Sequence, residues 1–390
     1  MKKQRIAVLF AAALTCCALP VHAAAPEIME LQDWLLAKPD AALTDAASAD
    51  RNRDGVLNAA DLTLLKRGSA SQPVRTVEVH DIAELFTAMR GAKPGDVIRV
   101  AAGTYDYTGY QGAQKIDTDA AGTAETPVTL TAADPDDPPV LTGSDVQNGY
   151  VLHIKGDYWV LDHLIVTNAQ KGIVLDHSDH SVIRNCEICK TGAEAIALRD
   201  GSSDCTVQAC SIHDTGLVSP GYGEGVYIGS AKSTTGFDYK CDNNKVLDCV
   251  FKNVAAEHVD VKEYTTGTEI AGCTFYGDGM TGENYAGSFV DIAGNGCFVH
   301  DNTGYRNGNP KIVAAFELHE QAEGWGHQNR FLDNTLYLDQ PYGVPDPERK
   351  MYVVDGWFTE ITAGGNRADF GDGLADVPDD YYNVLANREA

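Results

Sequence analysis

The chain has 390 residues, a formal net charge of −26 and 44% hydrophobic residues, enough apolar side chain for an extended core. Charge of that size excludes nucleic acid and anionic membrane surfaces as partners, because both would be repelled. An anionic substrate would have to meet local positive charge or a bound cation.

Lys2, Lys3 and Arg5 precede an apolar run from Ile6 to Leu19 and the small residues around Ala23 and Ala24. This pattern predicts a secretory signal peptide over 1–24, too short to span a membrane, and hence a secreted, soluble mature protein. Cys16 and Cys17 would leave with it. The cysteines that remain, Cys186, Cys189, Cys205, Cys210, Cys241, Cys249, Cys273 and Cys297, are even in number, which permits disulfides in an exported protein.

Residues 50 to 61 read DRNRDGVLNAAD. Asp50, Asn52, Asp54, Asn58 and Asp61 fall at loop positions 1, 3, 5, 9 and 12, with Gly55 at 6 for the sharp turn. Oxygen donors converging from one tight loop are what Ca²⁺ requires. With LQDWLLAKPD before it and LTLLKR after it, the block over 28–69 resembles a type I dockerin. It carries one calcium loop where dockerins usually have two. The resemblance implies a small α-helical, EF-hand-like module whose partner would be a cohesin on a scaffoldin.

After the linker GSASQP (68–73), Ile82, Leu85, Phe86 and Met89 have i, i+3, i+4, i+7 spacing, and Gly91 with Pro94 stops the pattern. A short amphipathic helix is expected there, capping the open edge of a sheet structure that begins at DVIRVAAG. From residue 150 onward short strands recur: LHIK (152–155), IVLD (173–176), IALR (196–199), VYIG (226–229), VDVK (259–262), VDIA (290–293) and FELH (316–319). Their first residues lie 21 to 33 apart, the mark of a solenoid. A second register, IRNCEI, VQACSI, VLDCVF, IAGCTF, VHDNTG and FLDNTL, aligns Cys186, Cys210, Cys249 and Cys273 with Asn302 and Asn334. Two strand registers per coil fit a parallel β-helix, with those cysteines as buried fillers and the asparagines bonded along the stack. Cys189, Cys205, Cys241 and Cys297 remain available for pairing. A β-sandwich would not keep one strand per coil in fixed phase. The fold class is therefore all-β, a parallel β-helix over 74–390 with an N-terminal capping helix, behind the dockerin-like module.

Alternate residues of a strand face opposite ways. Ile173, Ile196, Val226, Val259, Val290 and Phe316 form an inward column. The outward neighbours read His153, Val174, Ala197, Tyr227, Asp260, Asp291 and Glu317, and the next outward column reads Lys155, Asp176, Arg199, Gly229, Lys262, Ala293 and His319. Carboxylates on neighbouring rungs repel unless compensated. Asp260, Asp291 and Glu317, with Glu224 and Glu257 in phase at the strand starts, are thus candidate Ca²⁺ ligands, and Lys262 stands beside them. Such a set suits β-elimination on a uronate: a cation neutralises the carboxylate, and a lysine whose pKa is lowered takes the α proton.

The segments KPGDVIRVAAGTY, TPVTLTAADPDDPPVLTGS and YWVLDHLIVTNAQKGIVL resemble the amino-terminal coils of right-handed parallel β-helix polysaccharide lyases of the family 6 and family 9, pectate lyase-like type. The resemblance implies calcium, a catalytic lysine and an acidic substrate such as pectate. Glu257 precedes Lys262 by five residues, as a metal-binding acid precedes the lysine in family 6. Those enzymes carry a second catalytic basic residue. No arginine stands at the matching position here, and Arg199 is the substitute. His319 is a candidate acid or substrate contact, and Tyr222, Tyr239, Tyr264, Tyr285 and Trp325 are candidate sugar-stacking groups. A monomer is expected. A non-catalytic carbohydrate-binding or structural β-helix, and a glycoside hydrolase or epimerase using Asp260, Asp291 and Glu317, stay open as alternatives.

Overall fold

The structure is a computed structural model. It describes residues 26–38, 41–44, 49, 57–59, 61–62, 75–339, 352–356, 361–369, 375–376 and 382–385. The expected signal peptide, the linker and the loop residues Asp50, Asn52 and Asp54 lie outside them. Two compact units divide the chain, Met1–Ser71 and Gln72–Ala390.

In the first unit, helix α1 (Pro26–Leu35) buries Ile28 and Leu31 against Ala49, with Leu35, Leu43, Leu57 and Leu62 around them. The helix begins before the LQDWLLAKPD stretch and ends within it. Of the calcium-loop residues, Asn58 and Asp61 are described: the Asn58 amide donates to Asp61 Oδ2 at 3.0 Å, and Asp61 is buried.

In the second unit every strand pair is parallel, and the strands form three sheets of 12, 10 and 10 strands among the described residues. Each full coil thus gives one strand to each sheet. The expected two registers become three because segments such as IRNCEI contain two strands, Val182–Arg184 and Glu187–Thr191. Between them the chain bends through a left-handed residue, and Asn185, Ala209, Asp248, Gly272, Asp301, Asp333 and Gly365 repeat that conformation coil after coil. Asn, Asp and Gly tolerate it best. The residue after each bend turns inward. There Asn302 Nδ2 donates to Asn334 Oδ1 at 3.0 Å, and Asn334 Nδ2 to Asn366 Oδ1 at 2.8 Å, so the ladder runs one rung beyond the column seen in sequence. The eight described cysteines are buried and free, so the pairing left open for Cys189, Cys205, Cys241 and Cys297 does not form.

The lumen is filled by the inward column Ile173, Ile196, Val226, Val259, Val290 and Phe316, each wholly buried and paired in register with the next. Helix α2 (Ile82–Arg90) starts where the Asp81 side chain accepts from the Glu84 amide and stops at Gly91. It buries Leu85, Phe86, Ala88 and Met89 and packs on the strands Thr76–Val79, Val97–Val100 and Lys115–Thr118.

Candidate active site

The second sheet holds the strands Ile196–Arg199, Val226–Ile228, Val259–Val261, Val290–Ile292 and Ala314–Leu318 side by side. Their outer column pairs Tyr227 with Asp260, Asp260 with Asp291 and Asp291 with Glu317, the register the sequence implied. It continues to Asp355, one rung further than the sequence columns reached.

A second acidic column lies at the strand starts. The Ala195 amide donates to Glu224 O and the Gly225 amide to Glu257 O, which sets Glu194, Glu224 and Glu257 on consecutive rungs. Lys171 neutralises Glu194 through an ion pair. No comparable cation faces Glu224, whose Oε2 is buried without a hydrogen-bond partner among the described residues. Carboxylate oxygens of Glu224, Glu257 and Asp260 lie within 4.8 Å of one another.

Lys262 completes the group. Its Nζ is 2.5 Å from Asp260 Oδ2 and 5.3 Å from the centre of the Tyr227 ring. His319 Nε2 lies 3.3 Å from Asp291 Oδ1. These residues line a groove of about 780 Å³, whose rim adds Lys232, Lys311 and the almost fully exposed Tyr285.

The electrostatics follow from burying so many acids together. Burial, then Asp260 and Glu194, pushes the Glu224 carboxyl up to about 8. Burial and Asp291 push Glu317 up to about 7. Asp291 rises to about 6, burial and Asp260 outweighing His319. Glu257 is driven well up by burial and by Asp260, and Asp260 is raised by burial against the pull of Lys262. For Lys262 itself burial opposes the charge, but Asp260 and Asp291 outweigh it and hold the ammonium protonated. The site is short of positive charge. Paired oxygens, an orphaned carboxylate atom and a deficit of cations fit Ca²⁺ on Glu224, Glu257 and Asp260.

Arg199 is in the expected column but two rungs from Lys262, and it does not line the groove. Its guanidinium forks onto Asp176, Nε to Oδ1 at 2.8 Å and Nη2 to Oδ2 at 3.2 Å, above the Tyr150 and Phe237 rings. Among the expected stacking groups, Tyr239, Tyr264 and Trp325 pack on one another. Tyr222 and Tyr285 remain exposed. Glu194 and Tyr227 are site residues that the sequence reading did not single out. Glu194 shares the phase of Glu224, and that phase would have found it.

Residues 64–298 match the family described as Pel9A-like, right handed beta helix region. The chain belongs to this family. An alginate lyase from Paenibacillus sp. str. FPU-7 is 38% identical, over 79% of this chain and 99% of that one, with a TM-score of 0.73. Pectate lyase Pel9A is 17% identical over 79% of this chain and 80% of that one, with a TM-score of 0.57, a likeness of fold. A search of curated proteins returns no match. The Pel9A-like chain is a polysaccharide lyase.

Proposed function

We propose that this lyase is exported as a monomer and cleaves a uronate polysaccharide, alginate before pectate, by calcium-dependent β-elimination in the groove of the second sheet. The observation that carries this reading is Lys262 paired with Asp260 beside two further buried carboxylates, Glu224 and Glu257, in one cluster. Alginate is favoured because the more identical relative is an alginate lyase.

Glu224, Glu257 and Asp260 would hold the cation, with Asp291 and Glu317 next along the column. Bound Ca²⁺ supplies the charge that neutralises the uronate carboxylate and the enolate-like charge developing beside it. With Asp260 and its neighbours holding a cation, the attraction of those acids for the Lys262 proton would weaken, and the burial that opposes its charge would favour the free amine. Lys262 Nζ then takes the proton from the carbon next to the carboxylate. The electron pair forms the new double bond, and the bond to the 4-linked oxygen breaks. His319 is the group placed to return a proton to that oxygen. Lys232 and Lys311 on the rim meet the carboxylates of neighbouring sugars. Arg199 has no substrate contact in this scheme, because Asp176 occupies its fork.

In the first unit, Asp50, Asn52, Asp54, Asn58 and Asp61 would bind a further Ca²⁺, and a cohesin would be the partner. A cohesin pull-down lost in Asp61→Ala tests that part alone. The main reading is tested by incubating the protein with polymannuronate, polyguluronate, pectate and glucuronan, with calcium or with chelator, and following ultraviolet absorbance of unsaturated ends. Absorbance on an alginate polymer that chelator suppresses is expected. No absorbance on any uronate would sink the substrate assignment.

A further inference from the structure

The outer face of the third sheet carries a second group of ligand-type side chains, remote in chemistry from the acidic groove. Cys189 pairs directly with His213 on the next rung, and Glu187 is two residues before Cys189 on the same face. Alternation along Glu187–Thr191 turns Ile188 into the lumen and points Glu187 and Cys189 outward, Cys189 itself being buried. Glu187 Oε1 lies 3.4 Å from His213 Nε2 and 3.6 Å from Cys189 Sγ, and the three ligand atoms lie within 4.8 Å of one another.

We propose that Glu187, Cys189 and His213 form a zinc site that clips two consecutive coils of the β-helix. Ligand atoms at 2.0–2.3 Å from one tetrahedral centre stand about 3.3–3.6 Å apart, and two of the three separations here already have that size. The donor set is thiolate, imidazole and carboxylate, which selects zinc over calcium, whereas the groove offers oxygen alone. His213 Nδ1 is engaged by Asp214 Oδ2 at 2.8 Å, so Nε2 is the free ligand atom and is directed at Glu187. A carboxylate behind a ligating histidine fixes its tautomer and raises its basicity. Asp214 is itself held by the Asn253 amide. Glu187 and His213 stay part-exposed, so a water takes the fourth position and metal can reach the site from solvent. On binding, the Cys189 thiol proton leaves to solvent and the thiolate becomes the ligand.

The test uses the full-length protein stripped with chelator and titrated first with Co²⁺, then with Zn²⁺. Thiolate-to-cobalt charge-transfer absorption with the strong visible bands of a tetrahedral centre is expected, saturating at one thiolate-bound equivalent and displaced by Zn²⁺. Cys189→Ser and His213→Gln should each abolish it. Asp214→Asn should weaken binding about 10–100-fold. Glu224→Gln, in the groove, should leave the spectrum unchanged, and Cys189→Ser should leave uronate cleavage unchanged, so failure of this site and failure of the groove assignment are separable. Absence of a charge-transfer band in the wild-type protein, or a band that survives both Cys189→Ser and His213→Gln, overturns the proposal. The wild-type spectrum decides the matter even if a variant fails to fold.

Discussion

Lys262 sits between opposing influences: burial disfavours its charge, while Asp260 and Asp291 hold the proton on. Replacing it by alanine is expected to cut the elimination rate about 10²–10⁴-fold with an unchanged circular dichroism spectrum, the usual loss when a general base is removed. The acids opposite give a pH dependence. Their folded pKa values are raised, to about 6 for Asp291, about 7 for Glu317 and about 8 for Glu224. A raised acid stabilises the fold while it keeps its proton, so this contribution is present below the unfolded pKa and is lost as pH rises through the folded values. Metal-free protein should therefore melt at lower temperature at about pH 8.5 than at about pH 5.5, and calcium should raise Tm more at the higher pH. Equal calcium shifts at both would contradict the ligand set. At this scale Asp260, Asp291, Glu317 and Lys262 were legible in the sequence because period-two alternation fixes which way each side chain points. Arg199 was legible in phase but not in reach, since a column does not reveal that Asp176 occupies the guanidinium.

At the scale of the strand, the coils were legible from their apolar pairs, whereas the third sheet was hidden because only a left-handed residue and the inward residue after it separate its strands from those of the first sheet. The Cys and Asn columns marked that bend without revealing it as a corner. Asn334 donates and accepts along its ladder while wholly buried. Asn334→Ala leaves those partners unpaired and should cost about 1–3 kcal/mol in urea unfolding. Gly229 has φ +103, and a Cβ there would stand 2.9 Å from Lys262 Cβ and 2.8 Å from Thr265 Cγ2. Gly229→Ala should therefore displace the lysine and lower kcat more than it raises KM, as steady-state kinetics would read. A change in KM alone would mean that the glycine serves substrate binding.

For the whole molecule, the net charge of −26 and the proposed anionic substrate would be reconciled by local arrangement. Lys232, Lys262 and Lys311 gather at one groove, beside the buried carboxylates of Glu224, Glu257 and Asp260. Composition alone could state that requirement but not locate it. Residues from Glu224 to Glu317 meet here because the solenoid brings each coil back to the same column. Raising the ionic strength should therefore weaken KM for long polymer more than kcat, because the rim lysines act at a distance that salt screens. The central claim is tested most directly by initial rates of unsaturated-product formation on alginate, for wild-type protein and Lys262→Ala, each with calcium and with chelator. Wild-type protein should cleave with calcium, lose nearly all activity in chelator and regain it when calcium is restored, and Lys262→Ala should be inactive under both conditions; undiminished cleavage by Lys262→Ala, or by wild-type protein in chelator, would rule this mechanism out.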